Sequence, residues 1–332
     1  MAKTFAFFGS DQVESFVVAS LEAAGFTRTA SFDNTKVIFT YSLNQSLLED
    51  LYFGDQGLIQ LAQPGSLLIN LSATTPSFSR ELNAVATVSD LLAVEAPLVL
   101  QNMFAQNALS CQDNVTILLG GEEDAVAQAT EYVGLLAHQV SVCGGAGSAQ
   151  LAKAASTIQK SATVVSAIEA QALYQATRRS SGALGEQVLY PTPINSDAAA
   201  VLDALEGGSF ESEYTLTLFM ADVAAALEAA DDADLILPQA ESCLHLLELL
   251  MVIGGMDMSV SALSLLYADE QTCAQHGLDW SRAEDAFGPA FTEDDDEDDY
   301  LGFGDAEGYE GYTDDEDNGY FGFPGYPGYS EN

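Results

Sequence analysis

Bases are scarce in this chain: nine lysines and arginines stand against 50 aspartates and glutamates in 332 residues, a formal net charge of −41. A field of that sign repels phosphates, so nucleic acid and anionic membrane surfaces are disfavoured as partners. A basic protein or bound cations suit it electrostatically, and solubility or a salty milieu explains the same acidity equally well. Cysteine occurs four times and histidine three times. Cys111, Cys143, Cys243 and Cys273 form no C-x-x-C pair and have no histidines at ligand spacing, so neither a zinc site nor a disulfide framework is expected. An uninterrupted apolar run of membrane-spanning length is also missing. The most apolar stretch, 244–266, carries Glu248, Gly254, Gly255 and Asp257. The opening MAKTFAFFGS has too short an apolar run for a signal peptide. A soluble, cytoplasmic protein is the expectation.

Two glycines are missing as well. TFAFFG reads as a strand, and residues 12–24 show helical spacing through Val13, Phe16, Val17 and Leu21, with Gly25 as C-cap. The turn between a first strand and helix is where G-x-G-x-x-G cradles a pyrophosphate on backbone N–H groups. Here only Gly9 of the trio remains, and Asp11 and Glu14 occupy the turn. These two acids read as a D-x-x-E capping box that satisfies the helix start internally and places negative charge where a diphosphate would sit.

The apolar runs that are present outline an α/β domain. VIFTYS (37–42) and SLLINLS (66–72) read as buried parallel-type strands, with helical windows at 45–51 and 57–63 between them. LAVEAPLV, VTILLGG and VSVCGG extend the pattern to about residue 145. RTASF (28–32) looks like the second strand, and only four residues separate it from Val37. That is too short for a crossover, which needs about a dozen residues between parallel neighbours. The usual second crossover helix and third strand are therefore expected to be missing.

An Ala-rich helix without proline is predicted from Ser148 to about Thr177, with a small-residue seam through Leu151, Ala155, Ile158, Ala162 and Val165. Lys153, Thr157 and Lys160 share another of its faces. Further helices are expected at 198–205, 218–230, 239–252 and 259–268. From Glu293 onward, fifteen acids, no bases and nine Phe and Tyr residues among Gly and Pro indicate a disordered tail. The expected organisation is a Rossmann-like, mostly parallel α/β domain with a shortened second βα unit (1–147), an α-helical domain (148–290) and the acidic Tyr/Gly-rich tail (291–332).

In that order of motifs, with GSLLINLSATTP, EAP, VTILLGG, GGAGSAQLAK and MADVAAALEAADDADLILP following the strand-helix opening, the chain resembles the β-hydroxyacid dehydrogenases, the family of 3-hydroxyisobutyrate and 6-phosphogluconate dehydrogenases. The resemblance implies that Lys153 is the lysine that exchanges a proton with the substrate hydroxyl while hydride passes to a nicotinamide. A solvated lysine is the other reading of that residue. Thr157 stands where the family has an active-site asparagine, Ala221 where it has a second lysine, and Asn70 and Ala73 where its D-x-S-T segment has Asp and Thr. The substrate-recognition run reads Glu95, Ala96, Pro97, Leu98, Val99, Leu100, Gln101 in place of the family's A-P-V-S-G-G. Gly9, Asp33, Asn70 and Ser72 are the candidate cofactor residues, although an Asp-Asn turn explains Asp33 as well, and Ser72 can simply bond its own turn.

Two functions follow. The favoured expectation is a degenerate, non-catalytic binding or assembly protein with no cofactor and no metal, using its acidic tail toward a basic protein. The alternative is an NAD(P)-dependent oxidoreductase acting on a small hydroxy acid or imine with Lys153 as acid/base. A homodimer through the α domain is expected in either case, from the small-residue helix and the apolar stretch 244–266.

Overall fold

The computed structural model describes residues 4–30, 35–180, 193 and 195–287. The acidic tail expected from residue 291 lies outside the described residues.

The chain opens with β1 (Thr4–Gly9), α1 (Asp11–Ala23), β2 (Thr27–Arg28) and β3 (Val37–Tyr41). Next come α2 (Gln45–Phe53), α3 (Leu58–Leu61), β4 (Leu67–Asn70), α4 (Pro76–Val88), β5 (Leu92–Glu95) and β6 (Leu98–Leu100). β7 (Val115–Gly121), α5 (Glu123–Val133) and β8 (Gln139–Gly144) complete the sheet. Its order is β2-β1-β3-β4-β5-β7-β6, with β8 also on β7. β5 and β6 run antiparallel to β7, and the other pairings are parallel.

The apolar runs are continuous because both faces of the sheet are covered, and the pleat sends alternate residues to opposite sides. Phe5, Phe7, Val37, Phe39, Tyr41, Leu67 and Ile69 join the core shared with α1 and α5. Ala6, Ile38 and Leu68 join a second core with α2, α3 and α4. Register follows from this, since a slip by one residue would exchange the two faces.

β2 is only two residues long and ends the sheet beside β1, while β3 pairs with the opposite edge of β1. No strand or helix intervenes between β2 and β3 among the described residues. This agrees with the shortened second unit inferred from chain length. Asp33 falls in the part of that connection, 31–34, outside the described residues.

Gly9 is required by packing. Its φ is +131°, and a Cβ there would lie 1.7 Å from the Tyr41 carbonyl oxygen on β3. Ser10 N–H then donates to the same carbonyl at 2.9 Å. Ser10 is the N-cap of α1, without a side-chain capping bond, and Asp11 is already helical. The expected capping box is therefore absent. Glu14 instead turns to an ion pair with Arg28 at the end of β2, and only the favourable placing of two acids in the first turn remains.

The remaining helices are α6 (Ser148–Ser180), α7 (Ser196–Gly207), α8 (Leu216–Asp231), α9 (Pro238–Leu250), α10 (Glu270–Gln275) and α11 (Ser281–Phe287). The helix expected at 259–268 is a 3-10 segment, Val260–Tyr267. α6 buries the face that carries Lys153 and Thr157 more deeply than its small-residue seam. Lys153, Thr157, Ser161, Val164 and Ile168 point inward. In the apolar seam, Leu151 is 62% exposed, Ala155 is exposed, and Ile158, Ala162 and Val165 are half-buried. Cys243 and Cys273 are buried and all four cysteines are free, with burial pushing the Cys243 thiol up to about 12. Among the described residues, no helix is long and apolar enough to cross a membrane and no cluster of metal-ligating side chains occurs.

Gly9→Ala is expected to destabilise the protein by about 3 kcal/mol or more, because it combines an unfavourable φ with a backbone clash. Gly25→Ala, also at positive φ (+85°) but facing open space, is expected to cost about 1 kcal/mol. Urea unfolding of both variants measures the difference, and equal midpoints would contradict the role assigned to Tyr41.

Candidate active site

Lys153 lies in the second turn of α6 and is 7% exposed, which excludes the solvated-lysine reading. Its ammonium donates to the Leu98 carbonyl of β6 at 2.7 Å and forms an ion pair with Asp222 Oδ2 on α8. The same carboxylate oxygen accepts the hydroxyl of Tyr214, which sits just before α8. Two donors thus converge on one buried oxygen. Burial, followed by the Asp222 charge, holds the Tyr214 hydroxyl well above the ordinary tyrosine range, so it stays protonated and donates. Tyr41 is shifted in the same direction for the same two reasons.

One turn after Lys153, Thr157 is buried on the same face. Lys160 follows and donates to the Leu100 carbonyl. Burial, and secondly the charge of Lys153, lowers its pKa. Two cavities of about 10 Å³ adjoin Lys153, one lined by Thr157 and Lys160 and the other by Tyr41 and Leu71, both reaching Tyr214 and Asp222. Each has room for about one water molecule.

Tyr41 connects this array to the first turn of α1. Its ring lines the cavity beside Lys153, while its carbonyl receives Ser10 N–H next to Gly9. Gly9 and Tyr41 end adjacent parallel strands, β1 and β3, on whose two sides the chain order diverges. This is the topological switch point at which open α/β sheets bind ligands.

Asn70 and Ser72 serve the turn after β4. Asn70 Oδ1 accepts Ser72 N–H at 3.1 Å, and Ser72 Oγ accepts Ser42 N–H at 2.8 Å. The Asn70 amide nitrogen has no hydrogen-bond partner among the described residues. This turn reaches the lysine helix through Gln150, which donates to the Ser72 carbonyl at 2.9 Å and accepts Thr74 N–H at 3.1 Å. Gln150, Tyr41 and Tyr214 were not legible as site residues. Tyr41 looks like one more apolar strand position, Tyr214 lies outside any motif, and Gln150 is a common helix residue.

Glu95, at the end of β5, is also buried. Its carboxylate accepts Gly147 N–H at 3.0 Å and Ala149 N–H at 2.7 Å. Burial raises its pKa, and hydrogen bonds from Ser79 and the amides of Ala149, Gly147 and Gln150 oppose the rise.

Residues 8–145 match the family described as the NAD binding domain of 6-phosphogluconate dehydrogenase. The chain is 29% identical over 199 residues to the uncharacterized oxidoreductase YkwC of Bacillus subtilis, covering 59% of this chain and 66% of that protein. It is 26% identical over 271 residues to the NAD-dependent L-serine dehydrogenase of Pseudomonas aeruginosa, covering 78% and 87%. The fold is similar to that of Mycobacterium tuberculosis 3-hydroxyisobutyrate dehydrogenase, solved with L-serine, at a TM-score of 0.62 and 18% identity, over 81% of this chain and all of that one.

The expectation of no cofactor finds no support in these matches, since the matched family is an NAD binding domain. One physical argument behind it also changes. The capping-box reading places the charge of Glu14 where a diphosphate would sit, whereas Arg28 pairs with it. The ordered motifs, the switch-point geometry and these matches agree in one direction: residues 8–145 match an NAD binding domain, and the chain is similar in sequence and fold to β-hydroxyacid dehydrogenases.

Proposed function

We propose that the protein is an NAD(P)-dependent oxidoreductase acting on a small hydroxy acid, with Lys153 as the proton donor and acceptor. The carrying observation is the buried Lys153–Asp222–Tyr214 array, joined through Tyr41 to the switch point at Gly9. A buried lysine with a carboxylate partner is a positioned acid/base, and such groups contribute about 10²–10⁴-fold to rate. The fit to a dinucleotide rests on the Gly9–Asp11 turn and on Arg28, which offsets the charge of Glu14. The backbone N–H groups at the start of α1 would hold the diphosphate against its first turn. When bound, the nicotinamide supplies the hydride acceptor or donor.

In this reading Asp222 and the Leu98 carbonyl hold the Lys153 ammonium in place, and Tyr214 fixes the Asp222 carboxylate by donating to it. Lys153 passes its proton to the carbonyl oxygen of a substrate being reduced, or takes it from the hydroxyl of one being oxidised. Because the adjoining cavities are only about 10 Å³ each, entry of a substrate requires the space beside Lys153 to widen.

The same small cavities, together with Asp11 in the first turn, favour a second reading in which the array is a structural remnant and the protein only binds partners. Calorimetric titration with NADH and NADPH separates the two. Saturable binding by one of them with a Kd of about 10 μM or tighter, roughly −7 kcal/mol, is expected. Lys153→Met is expected to retain that affinity and lose about 10²-fold or more in kcat on the substrate found by screening short hydroxy acids. Absence of binding by both cofactors would leave the partner-binding reading.

The array also carries a stability prediction. Asp222→Ala leaves a buried ammonium with only a carbonyl partner and is expected to cost about 3–5 kcal/mol, whereas the double variant Lys153→Met/Asp222→Leu recovers most of that loss. Urea denaturation of the double-mutant cycle measures the recovery.

We further propose a homodimer formed on the outward seam of α6. Leu151, Ala155 and Ile158 present a small apolar stripe, and Leu173, 70% exposed, lies further along the same helix. Light scattering at tens of micromolar is expected to give the dimer mass, and Ala155→Glu the monomer mass.

A further inference from the structure

We propose that Glu95 is a positioning residue for Lys153, acting through the first turn of α6. The proposal rests on the reading of Lys153 as the acid/base, but its geometry stands apart from any activity. Both carboxylate oxygens of Glu95 are committed to the helix: Oε2 accepts Gly147 N–H and Oε1 accepts Ala149 N–H. A residue so engaged is not available to a substrate carboxylate or hydroxyl, even though it opens the run that the family resemblance assigns to substrate recognition. What it grips is a helix start, where amide donors lack intrahelical partners and the backbone dipole favours a negative charge.

The grip is rigid on both sides. On the sheet side, Gly120 of β7 lies opposite Glu95, and a Cβ at Gly120 would fall 2.3 Å from Glu95 Oε1, so the carboxylate occupies space that only glycine leaves. Ala96 N–H donates to the Asn70 carbonyl at 2.7 Å, and the Pro97 carbonyl accepts Leu118 N–H at 3.1 Å, which holds the following residues against both neighbouring strands. On the helix side, Gly147 has φ +91°, and a Cβ on it would meet the Pro76 carbonyl oxygen at 2.9 Å and Arg80 Nη1 at 3.0 Å. The entry of α6 therefore passes closely over the start of α4.

Three residues after Glu95, the Leu98 carbonyl accepts the Lys153 ammonium at 2.7 Å. One short, immobilised segment thus holds α6 at two points: by its end amides through Glu95, and by its lysine through Leu98. Ala149 and Lys153 are four residues apart, so they lie on one face of the helix a single turn from each other. Any axial shift or rotation of the helix start moves Lys153 relative to Leu98 and Asp222. Glu95 acts at a distance from the reacting atoms and sets where the ammonium sits.

The test uses the full-length protein labelled with [ε-¹³C]lysine, in which the four lysine signals are assigned by single Lys→Arg variants. A pH titration follows the Lys153 signal without substrate or cofactor. Glu95→Ala is expected to move the Lys153 midpoint by on the order of one pH unit. Glu95→Gln, which keeps one amide acceptor, is expected to move it by less. Val201→Ala, in the buried face of α7, serves as a control expected to lower Tm and leave the Lys153 signal in place. If Glu95→Ala fails to fold, Glu95→Gln carries the comparison. A lowered Tm with an unmoved Lys153 titration in the folded Glu95 variants would overturn the proposal and make Glu95 a structural cap alone. Because the titration needs no turnover, this outcome is distinct from failure of the oxidoreductase reading, which would appear as absent cofactor binding with a normal Glu95 effect.

Discussion

The buried ion pair between Lys153 and Asp222 constrains the rest of the structure. Each charge loses most of its hydration, and their attraction compensates only while the geometry and the added hydrogen bonds are kept. The Leu98 carbonyl supplies one of those bonds and Tyr214 another. Together they hold α6, α8 and the β6 edge in one relative position. Such a pair contributes little to net stability compared with well-packed apolar residues, and its effect here is to specify which face of α6 points inward. That choice turns Leu151 and Ala155 outward, so the most apolar stripe of the helix is left for another surface.

A second constraint lies at the other end of the site. Strands β1 and β3 approach so closely at Gly9 and Tyr41 that no side chain fits between them. Tyr41 then links the turn at α1, through its carbonyl, to the cavity beside the lysine that it also lines. The shortened connection between β2 and β3 leaves β2 as a two-residue edge strand, whose last residue, Arg28, pairs with Glu14. A shortened sheet edge on one side of the switch point therefore coincides with a cation that pairs with an acid in the first turn of α1.

Much of the fold was legible because burial writes itself into the sequence. VIFTYS and SLLINLS have no polar alternation, which only a doubly covered sheet explains. The shortened second unit followed from chain length, since four residues cannot make a crossover. The long helix was visible from its lack of proline, and Lys153 from its place in an ordered set of motifs. The capping box was misread because Asp11 and Glu14 fit a local rule, while Arg28, fourteen residues on, offered Glu14 a stronger partner. Both the small-residue seam of α6 and the face of Lys153 and Thr157 are visible in the sequence, but which of them is buried depends on partners elsewhere in the chain, Leu98 and Asp222. Gln150 and Tyr214 carried no signal, because each gains its role only from a partner 78 or 8 residues away.

By itself, the sequence determined the alternation of strands and helices, the truncated connection, the surplus of negative charge and the placing of Lys153 on a helix. These depend on local periodicity, chain length and composition, which are properties of neighbours along the chain. Only the tertiary structure decided that Asp222 and Tyr214 share one oxygen beside Lys153, that Glu95 is bound to the start of α6, and that Glu14 is neutralised by Arg28. These depend on which distant groups meet where water is excluded. There, electrostatic partners are selected by the packing of whole elements, and the same residues would be indifferent to one another in an extended chain.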